Sequence, residues 1–324
     1  MNGICTLGND YVYDQLIALL NSIDAILGKD IPVCIYPFDE QTQRIADAIA
    51  QRPNVFLYDN QESIKRWDKF MLEASPASMN RNKYRIYGGH RRFCAFDGPF
   101  DKFIYLDADT LVMNSLDIVW QKLEEYDCVV YDFQFKFPDK VYNIKSDKFL
   151  NVFTKERVDK EIFCSGFYGS KKGLFSPEKI VELSAHLQSG EREILYPTGD
   201  QPVLNYMFMR SGIPIYNFAH YLPASQVTGC TVTSQHFIEQ DKILYDKGKR
   251  LTYLHYIGIP PNIHQAVCAG ENIEFPYREL FLYYRYLHEP EKRPVFAHSP
   301  KPYNAPPPNL LTRALRKFKL IPQG

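Results

Sequence analysis

The chain has 324 residues, and its 38 lysines and arginines are balanced by 38 aspartates and glutamates. A chain of this length can bury a large core, either as one α/β domain or as a domain with appendages. The zero net charge argues against a surface built throughout for nucleic acid, so we expect no nucleic-acid partner.

The N-terminus and the cysteines both indicate a cytoplasmic protein. The opening MNGICTLGND has neither a basic segment nor a cleavable apolar segment and resembles the first strand of a mature protein. No apolar run in the sequence is long enough to span a bilayer. The seven cysteines form no CxxC pair, which predicts reduced core residues rather than a zinc or redox site.

The first half of the chain alternates between predicted strands and predicted helices. Short apolar runs predict strands at residues 3–7, 31–36, 54–58, 103–107 and 128–131. Helical spacing or capping residues predict helices at residues 11–27, 39–50, 84–96 and 116–125. Gly28 is expected to close the first of these helices and Asp39 to cap the second. This alternation indicates an α/β protein with a Rossmann-like, mainly parallel sheet flanked by helices.

The second half is less regular. We expect a strand at residues 164–170, a helix opened by Ser176 and Pro177, a helix beginning near residue 200, and a strand at residues 251–256. Beyond residue 289 the prolines multiply, which indicates an extended linker over residues 290–308.

The predicted strand at residues 103–107 runs directly into the acidic tripeptide Asp107, Ala108 and Asp109. In an open α/β sheet, ligands bind at the carboxyl ends of strands. Two acids one residue apart can both reach one hard cation through oxygen. The pattern therefore indicates a metal site that handles a phosphate-bearing substrate. The alternative is an ordinary acidic turn, because this tripeptide pattern also occurs by chance.

Five blocks of the sequence, in order, resemble those of glycosyltransferase family 8, the group that includes glycogenin and the bacterial lipopolysaccharide galactosyltransferases. The blocks are TLGNDYVYDQLIALLNSI (6–23), FDKFIYLDADTLV (100–112), CSGFYGSKKGLF (164–175), GDQPVLNYMF (199–208) and LHYIG (254–258). The resemblance spans about residues 3–285 and implies a GT-A fold with an irregular acceptor-side second half. We therefore expect a catalytic domain at residues 1–289, with its nucleotide-binding half ending near residue 132, followed by the linker and a tail at residues 309–324.

The resemblance also implies a metal site and a donor site. The implied ligands of Mn²⁺ or Mg²⁺ are Asp107, Asp109 and His255, and imidazole suits manganese better than magnesium. Taken alone, His255 would be read as a core histidine, and the LHYIG block is what favours the ligand. The implied donor-binding residues are Thr6, Leu7, Asn9, Asp10, Tyr11, Arg91, Arg92, Asp107, Ala108, Asp109, Ser165, Gly166 and Gly258.

Some of these donor residues have an alternative role. Asn9 and Asp10 would face the nucleotide, and they also suit a helix cap, so that both roles are compatible. Tyr11 would stack on a uracil ring. Of Arg91 and Arg92, either is a candidate to bind the donor phosphate or sugar, and the other would then be a solvated basic residue.

The block GDQPVLNYMF implies that Asp200 and Gln201 lie at the donor sugar, with Asp132 as a further sugar contact. The alternative is a helix-capping pair, in which Gly199 and Asp200 open a helix that has Pro202 in its first turn. The family resemblance implies transfer of a hexose from a nucleotide sugar, a UDP-sugar, with retention of the anomeric configuration. The acceptor is not named by the sequence: a saccharide, a glycolipid and a protein all stay open.

One departure keeps a second class of function open. The family often has a lysine after the H-x-x-G block, whereas here Gly258 is followed by IPPN. A nucleotide-sugar-binding protein with weak catalysis is therefore an alternative. A nucleotidyltransferase is a third reading, but the segment GNDYVYD lacks the glycine-rich basic loop that it would need.

The tail segment NLLTRALRKFKLI, residues 309–321, places apolar residues at helical spacing with basic residues between them. This pattern predicts a basic amphipathic helix suited to peripheral contact with the inner face of an anionic membrane. The alternative is a helix docked on the catalytic core.

Overall fold

The computed structural model describes residues 1–76, 88–197 and 199–304. Its strands are β1 (Asn2–Gly8), β2 (Val33–Pro37), β3 (Val55–Leu57), β4 (Lys102–Leu106), β5 (Thr110–Val112), β6 (Cys128–Val130), β7 (Phe167–Lys171), β8 (Ile215–Asn217), β9 (Ile238–Gln240), β10 (Ile243–Asp246), β11 (Lys249–Arg250), β12 (Tyr253–His255), β13 (Ile273–Glu274) and β14 (Lys301–Pro302). Its α-helices are α1 (Tyr13–Leu27), α2 (Gln43–Ile49), α3 (Gln61–Ala74), α4 (Asp117–Glu125), α5 (Phe149–Val152), α6 (Lys155–Glu161), α7 (Pro177–Gln188), α8 (Gln201–Arg210), α9 (Phe218–Tyr221), α10 (Pro261–Cys268) and α11 (Arg278–Arg285).

The central sheet of the described chain has seven strands in the order β3-β2-β1-β4-β7-β6-β8. Strands β3, β2, β1 and β4 are parallel, β7 is antiparallel to both β4 and β6, and β8 is parallel to β6. The predicted α/β class with a mainly parallel sheet is therefore confirmed. Because β7 and β8 come from the second half of the chain, both halves build one sheet.

Strand β4 shows why both faces of this sheet are covered. Phe103 and Tyr105 belong to one buried apolar cluster together with Trp67 of α3, whereas Ile104 and Leu106 belong to a second cluster. Successive side chains alternate across a strand, so a strand buried on both faces has a continuous apolar sequence. Each such buried side chain contributes about 1.5–3 kcal/mol of hydrophobic stabilisation.

The prediction that Asp39 caps the second helix is wrong. Asp39 instead accepts hydrogen bonds from the backbone N–H of Gln41 at 3.0 Å and from the side-chain amide of Asn9 at 2.9 Å. Asp10 takes the capping role, because its carboxylate accepts hydrogen bonds from two N–H groups in the first turn of α2 at 3.2 and 3.0 Å. The reason is tertiary: the turn after β1 carries Asp10 to the start of α2, where unpaired N–H groups favour a carboxylate.

The helix predicted at residues 84–96 differs in the part that is described. Gly89–Asp97 form a 3₁₀ helix rather than an α-helix, and residues 84–87 lie outside the described residues. With about three residues per turn, Arg92 lies one turn beyond Gly89, and its Nε donates to the Gly89 carbonyl oxygen at 3.1 Å. This tighter winding decides where the Arg92 side chain lies.

All seven cysteines lie within the described residues and all are free thiols. Cys164 and Cys268 are partly buried, and the other five are buried. Burial raises the pKa of the Cys5 thiol well above its ordinary value, which keeps that thiol protonated. The arrangement agrees with the predicted set of reduced thiols.

The first part of the proline-rich segment packs on the domain. β14 pairs in parallel with β13, and Phe296 and Tyr303 pack against a third apolar cluster. The predicted basic amphipathic tail at residues 309–321 lies outside the described residues. Within the described ranges, no helix combines the length and the apolar character needed to cross a bilayer.

Candidate active site

The turn between β4 and β5 and the end of β12 bring two carboxylates and an imidazole together. β12 pairs with β5, and this pairing places His255 opposite Thr110. The Thr110 hydroxyl donates to the carbonyl oxygen of Asp107 at 2.7 Å, which holds the turn. One ligand atom from each of Asp107, Asp109 and His255 lies within 4.8 Å of the other two. We call these three residues the Asp-Asp-His cluster.

The Asp-Asp-His cluster suits a divalent cation, because carboxylate oxygen and imidazole nitrogen are ligands that manganese accepts. Gly166 lies against it, and its carbonyl oxygen accepts a hydrogen bond from the N–H of Asp107 at 2.9 Å. A Cβ at this position would lie 2.5 Å from Cε1 of His255 and 3.0 Å from Oδ2 of Asp107. The ligand side chains therefore need a glycine beside them.

Gly166→Ala is expected to weaken Mn²⁺ binding about tenfold or more, because the added methyl group would displace His255 or Asp107 from the cluster. Isothermal titration calorimetry with MnCl₂ measures this affinity. Gly173→Ala is the matched control, since Gly173 has a φ of 79° and no atom within 4 Å of an added methyl group. That control strains the backbone without touching the cluster. Wild-type Mn²⁺ affinity in Gly166→Ala would contradict the packing argument.

His255 and Asp109 form a close pair, with Nε2 of His255 lying 3.2 Å from Oδ1 of Asp109. Burial lowers the pKa of His255, but the charge of Asp109 and hydrogen bonds with Asp109 and Cys164 outweigh it and hold the pKa well above its ordinary value. Burial raises the pKa of Asp109, but His255 outweighs burial and lowers it. The protein by itself therefore carries an imidazolium and a carboxylate at this position at neutral pH.

The affinity for Mn²⁺ is expected to rise with pH, because His255 must lose its proton before the imidazole can bind a cation. Below the raised pKa of His255, each pH unit should increase the affinity about tenfold, and above that pKa the increase should stop. Titration calorimetry at several pH values measures the slope. A matched series with His255→Gln should lose it, and a flat profile in the wild-type protein would count against His255 as a ligand.

Arg92 connects the Asp-Asp-His cluster to Asp200. Its Nη1 lies 3.0 Å from Oδ1 of Asp107, and its Nε lies 2.6 Å from Oδ2 of Asp200. The guanidinium also donates to the carbonyl oxygen of Ser165 at 2.8 Å and lies 4.8 Å from the centre of the Tyr105 ring. Burial lowers the pKa of Arg92, but Asp107 and Asp200 outweigh burial and raise it well above its ordinary value. Arg92 is therefore a permanent buried cation shared by two carboxylates.

The segment 164–166 holds the other candidate sugar-binding residues. The N–H of Cys164 donates to Oδ2 of Asp132 at 3.1 Å, and the N–H of Ser165 donates to Oε1 of Gln201 at 3.2 Å. Through this segment the predicted metal ligands and the predicted sugar-binding residues form one connected site.

Asp132 is buried within this site. Burial raises the pKa of its carboxyl group to about 7, although hydrogen bonds from the N–H groups of Gln134 and Cys164 favour the charged form. A carboxyl group with this pKa is present in both protonation states near neutral pH. Asp132 is therefore able to accept or donate a proton within this site.

Asp200 occupies the N-cap position of α8, with Pro202 in the first turn, as the capping alternative predicted. Its side chain forms no cap hydrogen bond with the helix. The side-chain amide of Asn205 donates to the carbonyl oxygens of Gln201 at 3.0 Å and Phe163 at 2.8 Å. These bonds tie the start of α8 to the irregular segment that precedes β7.

The residues expected to meet the nucleotide lie at the end of β1. Thr6 and Leu7 are buried. Asn9 accepts a hydrogen bond from the N–H of Tyr11 at 3.2 Å, so its helix-cap role is present. The Asp10 carboxylate is engaged at the start of α2. The Tyr11 side chain is 39% exposed, and its predicted stacking on a base stays a prediction.

Two candidates do not join the connected site. Arg91 forms a bidentate ion pair with Asp68, in which both N–O distances are 3.1 Å, and its guanidinium lies 3.7 Å from the Glu40 carboxylate. Gly258 is exposed in the turn after β12, where its φ of 83° favours glycine. Of the two arginines proposed from the sequence, Arg92 is therefore the one that contacts the Asp-Asp-His cluster.

Three residues of the site were not predicted from the sequence: Tyr105, Cys164 and Asn205. Tyr105 donates its hydroxyl to Oδ1 of Asp107 at 3.0 Å, and its position two residues earlier on a strand, hence on the same face, was a usable signal. The spacing of four residues between Gln201 and Asn205 was a similar signal for a shared helix face. Nothing in the sequence indicated that Cys164 would help to raise the pKa of His255.

The chain is similar to one known protein family and to several solved structures. The model of the family described as Glycosyl transferase family 8 matches residues 6–260. The galactosyltransferase LgtC, solved in complex with donor and acceptor sugar analogs, is similar with a TM-score of 0.51 at 15% identity, covering 80% of this chain and 87% of LgtC. The apo structure of the bifunctional glycosyltransferase WbbM is similar with a TM-score of 0.53 at 14% identity, covering 90% of this chain and 51% of WbbM.

At these identities the two structures show a shared fold, the GT-A fold, and no more. No curated protein matches the chain. The family model is the stronger finding, because it covers most of the chain and contains both the Asp-Asp-His cluster and the Asp200–Gln201 pair. The chain therefore belongs to glycosyl transferase family 8 and is a glycosyltransferase.

Proposed function

We propose that this glycosyltransferase depends on a divalent metal and transfers a hexose from a UDP-sugar to a saccharide-bearing acceptor, with retention of the anomeric configuration. The observation that carries the proposal is the pair of contacts made by Arg92. One buried guanidinium contacts both Asp107 and Asp200, so a proposed metal ligand and a proposed sugar-binding residue are held by the same side chain.

Each side chain then has a defined task. Asp107, Asp109 and His255 would hold Mn²⁺ or Mg²⁺, which, when bound, neutralises charge on the departing diphosphate. Arg92 orients Asp200 toward the donor sugar. The backbone N–H of Ser165 donates to the side-chain oxygen of Gln201 at 3.2 Å and so holds the carboxamide in place.

Asp132 is proposed to bind a hydroxyl group of the donor or acceptor. Its pKa of about 7, which results from burial, lets it take up or release a proton near neutral pH. Proton transfer by such a group is most effective when its pKa lies near the working pH.

A donor panel tests this function. Release of nucleoside diphosphate from UDP-glucose, UDP-galactose, UDP-N-acetylglucosamine and GDP-mannose would be measured with Mn²⁺, with Mg²⁺ and with a chelator. We expect release from a UDP-sugar that needs the metal. Donor binding without release would support the alternative of a nucleotide-sugar-binding protein, and equal release in the presence of the chelator would exclude the metal role.

A further inference from the structure

A cavity of about 910 Å³ lies between the end of α3, residues 139–145 and residues 187–197. We propose that this cavity binds the saccharide acceptor, with Tyr196 as the aromatic platform for a sugar ring. The inference rests on the proposed transferase function, because it assigns a substrate class to the second substrate of that reaction.

The size and lining of the cavity fit a small organic ligand. Ligand pockets commonly have about 300–1,000 Å³ and combine apolar or aromatic walls with a few polar groups. Tyr196 and Ile144 line the cavity and are 45% and 43% exposed. An exposed tyrosine ring offers an apolar face with a polar tip, and the C–H face of a pyranose ring packs on such a surface.

The polar groups of the lining suit hydroxyl groups. The side-chain amide of Asn143 donates to the carbonyl oxygen of Glu193 at 3.2 Å, and the side-chain amide of Gln188 donates to the hydroxyl of Ser184 at 3.3 Å. Among the described residues no donor reaches the amide oxygens of Asn143 and Gln188. These two oxygens are therefore available to accept hydrogen bonds from a ligand.

The charges of the lining favour a neutral ligand over a phosphate or a nucleic acid. The lining contains two acids and two bases, Asp139, Glu193, Lys145 and Arg192. Glu193 is paired with Lys148 at 3.2 Å, and Arg192 donates to the carbonyl oxygen of Glu73. Because the charges cancel and are partly engaged, the cavity offers no excess positive charge to an anion.

The cavity adjoins the candidate active site through the chain itself. Pro197 is part of its lining, and Asp200 follows three residues later. Since consecutive Cα atoms are about 3.8 Å apart, the Cα atoms of Pro197 and Asp200 cannot be more than about 11 Å apart. The chain itself therefore limits how far this end of the lining lies from Asp200, which is proposed to hold the donor sugar.

The test is binding of free disaccharides to the whole protein, without any donor. Saturation-transfer difference NMR with maltose, cellobiose, lactose and chitobiose at millimolar concentration reports binding of each sugar. Tyr196→Ala should weaken binding about three- to tenfold, the scale of one aromatic stacking contact. Ile144→Arg should also weaken binding, because it replaces an apolar wall of the cavity with a charged side chain. Tyr221→Ala is the matched control, because Tyr221 is also 45% exposed and does not line the cavity.

The possible outcomes separate this inference from the proposed function. Binding that is weakened by Tyr196→Ala and Ile144→Arg, but not by Tyr221→Ala, supports the cavity as the acceptor site. Absence of binding by every sugar, wild-type binding in both cavity variants, or loss of binding in Tyr221→Ala alone overturns it. The proposed function fails on a different measurement, when the wild-type protein releases no nucleoside diphosphate from any donor.

Discussion

Asp109→Ala is expected to abolish metal-dependent release of nucleoside diphosphate, with a fall in rate of about a hundredfold or more, equivalent to about 2.7 kcal/mol. The substitution removes one of two carboxylates from the Asp-Asp-His cluster. It also removes the charge that keeps the pKa of His255 high. The fold should survive, because the Asp109 side chain is 25% exposed and its carbonyl oxygen still accepts the hydrogen bond from Tyr256.

The measurement is donor turnover as a function of Mn²⁺ concentration, together with thermal unfolding of each variant. Asp246→Ala is the matched control, since Asp246 forms a similar pair in which its Oδ1 lies 3.1 Å from Nε2 of His236. This control breaks an aspartate–histidine pair without removing a metal ligand, and donor turnover should persist in it. Full activity of Asp109→Ala, or of the wild-type protein with a strong chelator, would defeat the metal assignment.

Gln201→Ala and Asp200→Ala are expected to lower donor turnover far more than donor affinity, by about a hundredfold in kcat. Both residues are proposed to act on the sugar while its bond to the diphosphate breaks, when charge develops near the anomeric carbon. Gln201 is the cleaner test, because its side chain accepts a neutral hydrogen bond from the Ser165 N–H. Asp200→Ala also leaves Arg92 with Asp107 as its remaining carboxylate, so we expect weaker Mn²⁺ binding in that variant.

Asp200→Asn separates the two effects, since it keeps an oxygen near Arg92 while removing the charge. Arg210→Ala is the control from the same helix, because it breaks the pair with Glu191 at the far end of α8 and should retain turnover.

The anomeric configuration of the product, read by NMR from the coupling at the anomeric proton, tests retention. An inverted product, or a Gln201→Ala enzyme with wild-type kcat, would rule out the assigned roles.

The sequence by itself determined the features that depend on neighbouring residues. The apolar run of β4 followed by Asp107 and Asp109 predicted a strand that ends in two carboxylates, because side-chain alternation and burial are local consequences of the pattern. The order of strands and helices determined the α/β class, since short connections between parallel strands need crossover helices. The five sequence blocks pointed to the family that the comparison with known proteins confirmed.

Tertiary structure decided which distant segments meet and which roles adjacent residues take. Pairing of β12 with β5 brought His255 to the carboxylates. The 3₁₀ winding directed Arg92 into the site and left Arg91 with Asp68, a distinction that two adjacent arginines do not carry in their sequence. The turn after β1 gave Asp10 the capping position expected of Asp39, and three separate segments enclose the cavity beside Tyr196. The pattern of residues within one segment cannot predict such contacts. They depend on which distant segments lie side by side and on where their side chains point, and both are set only when the core packs.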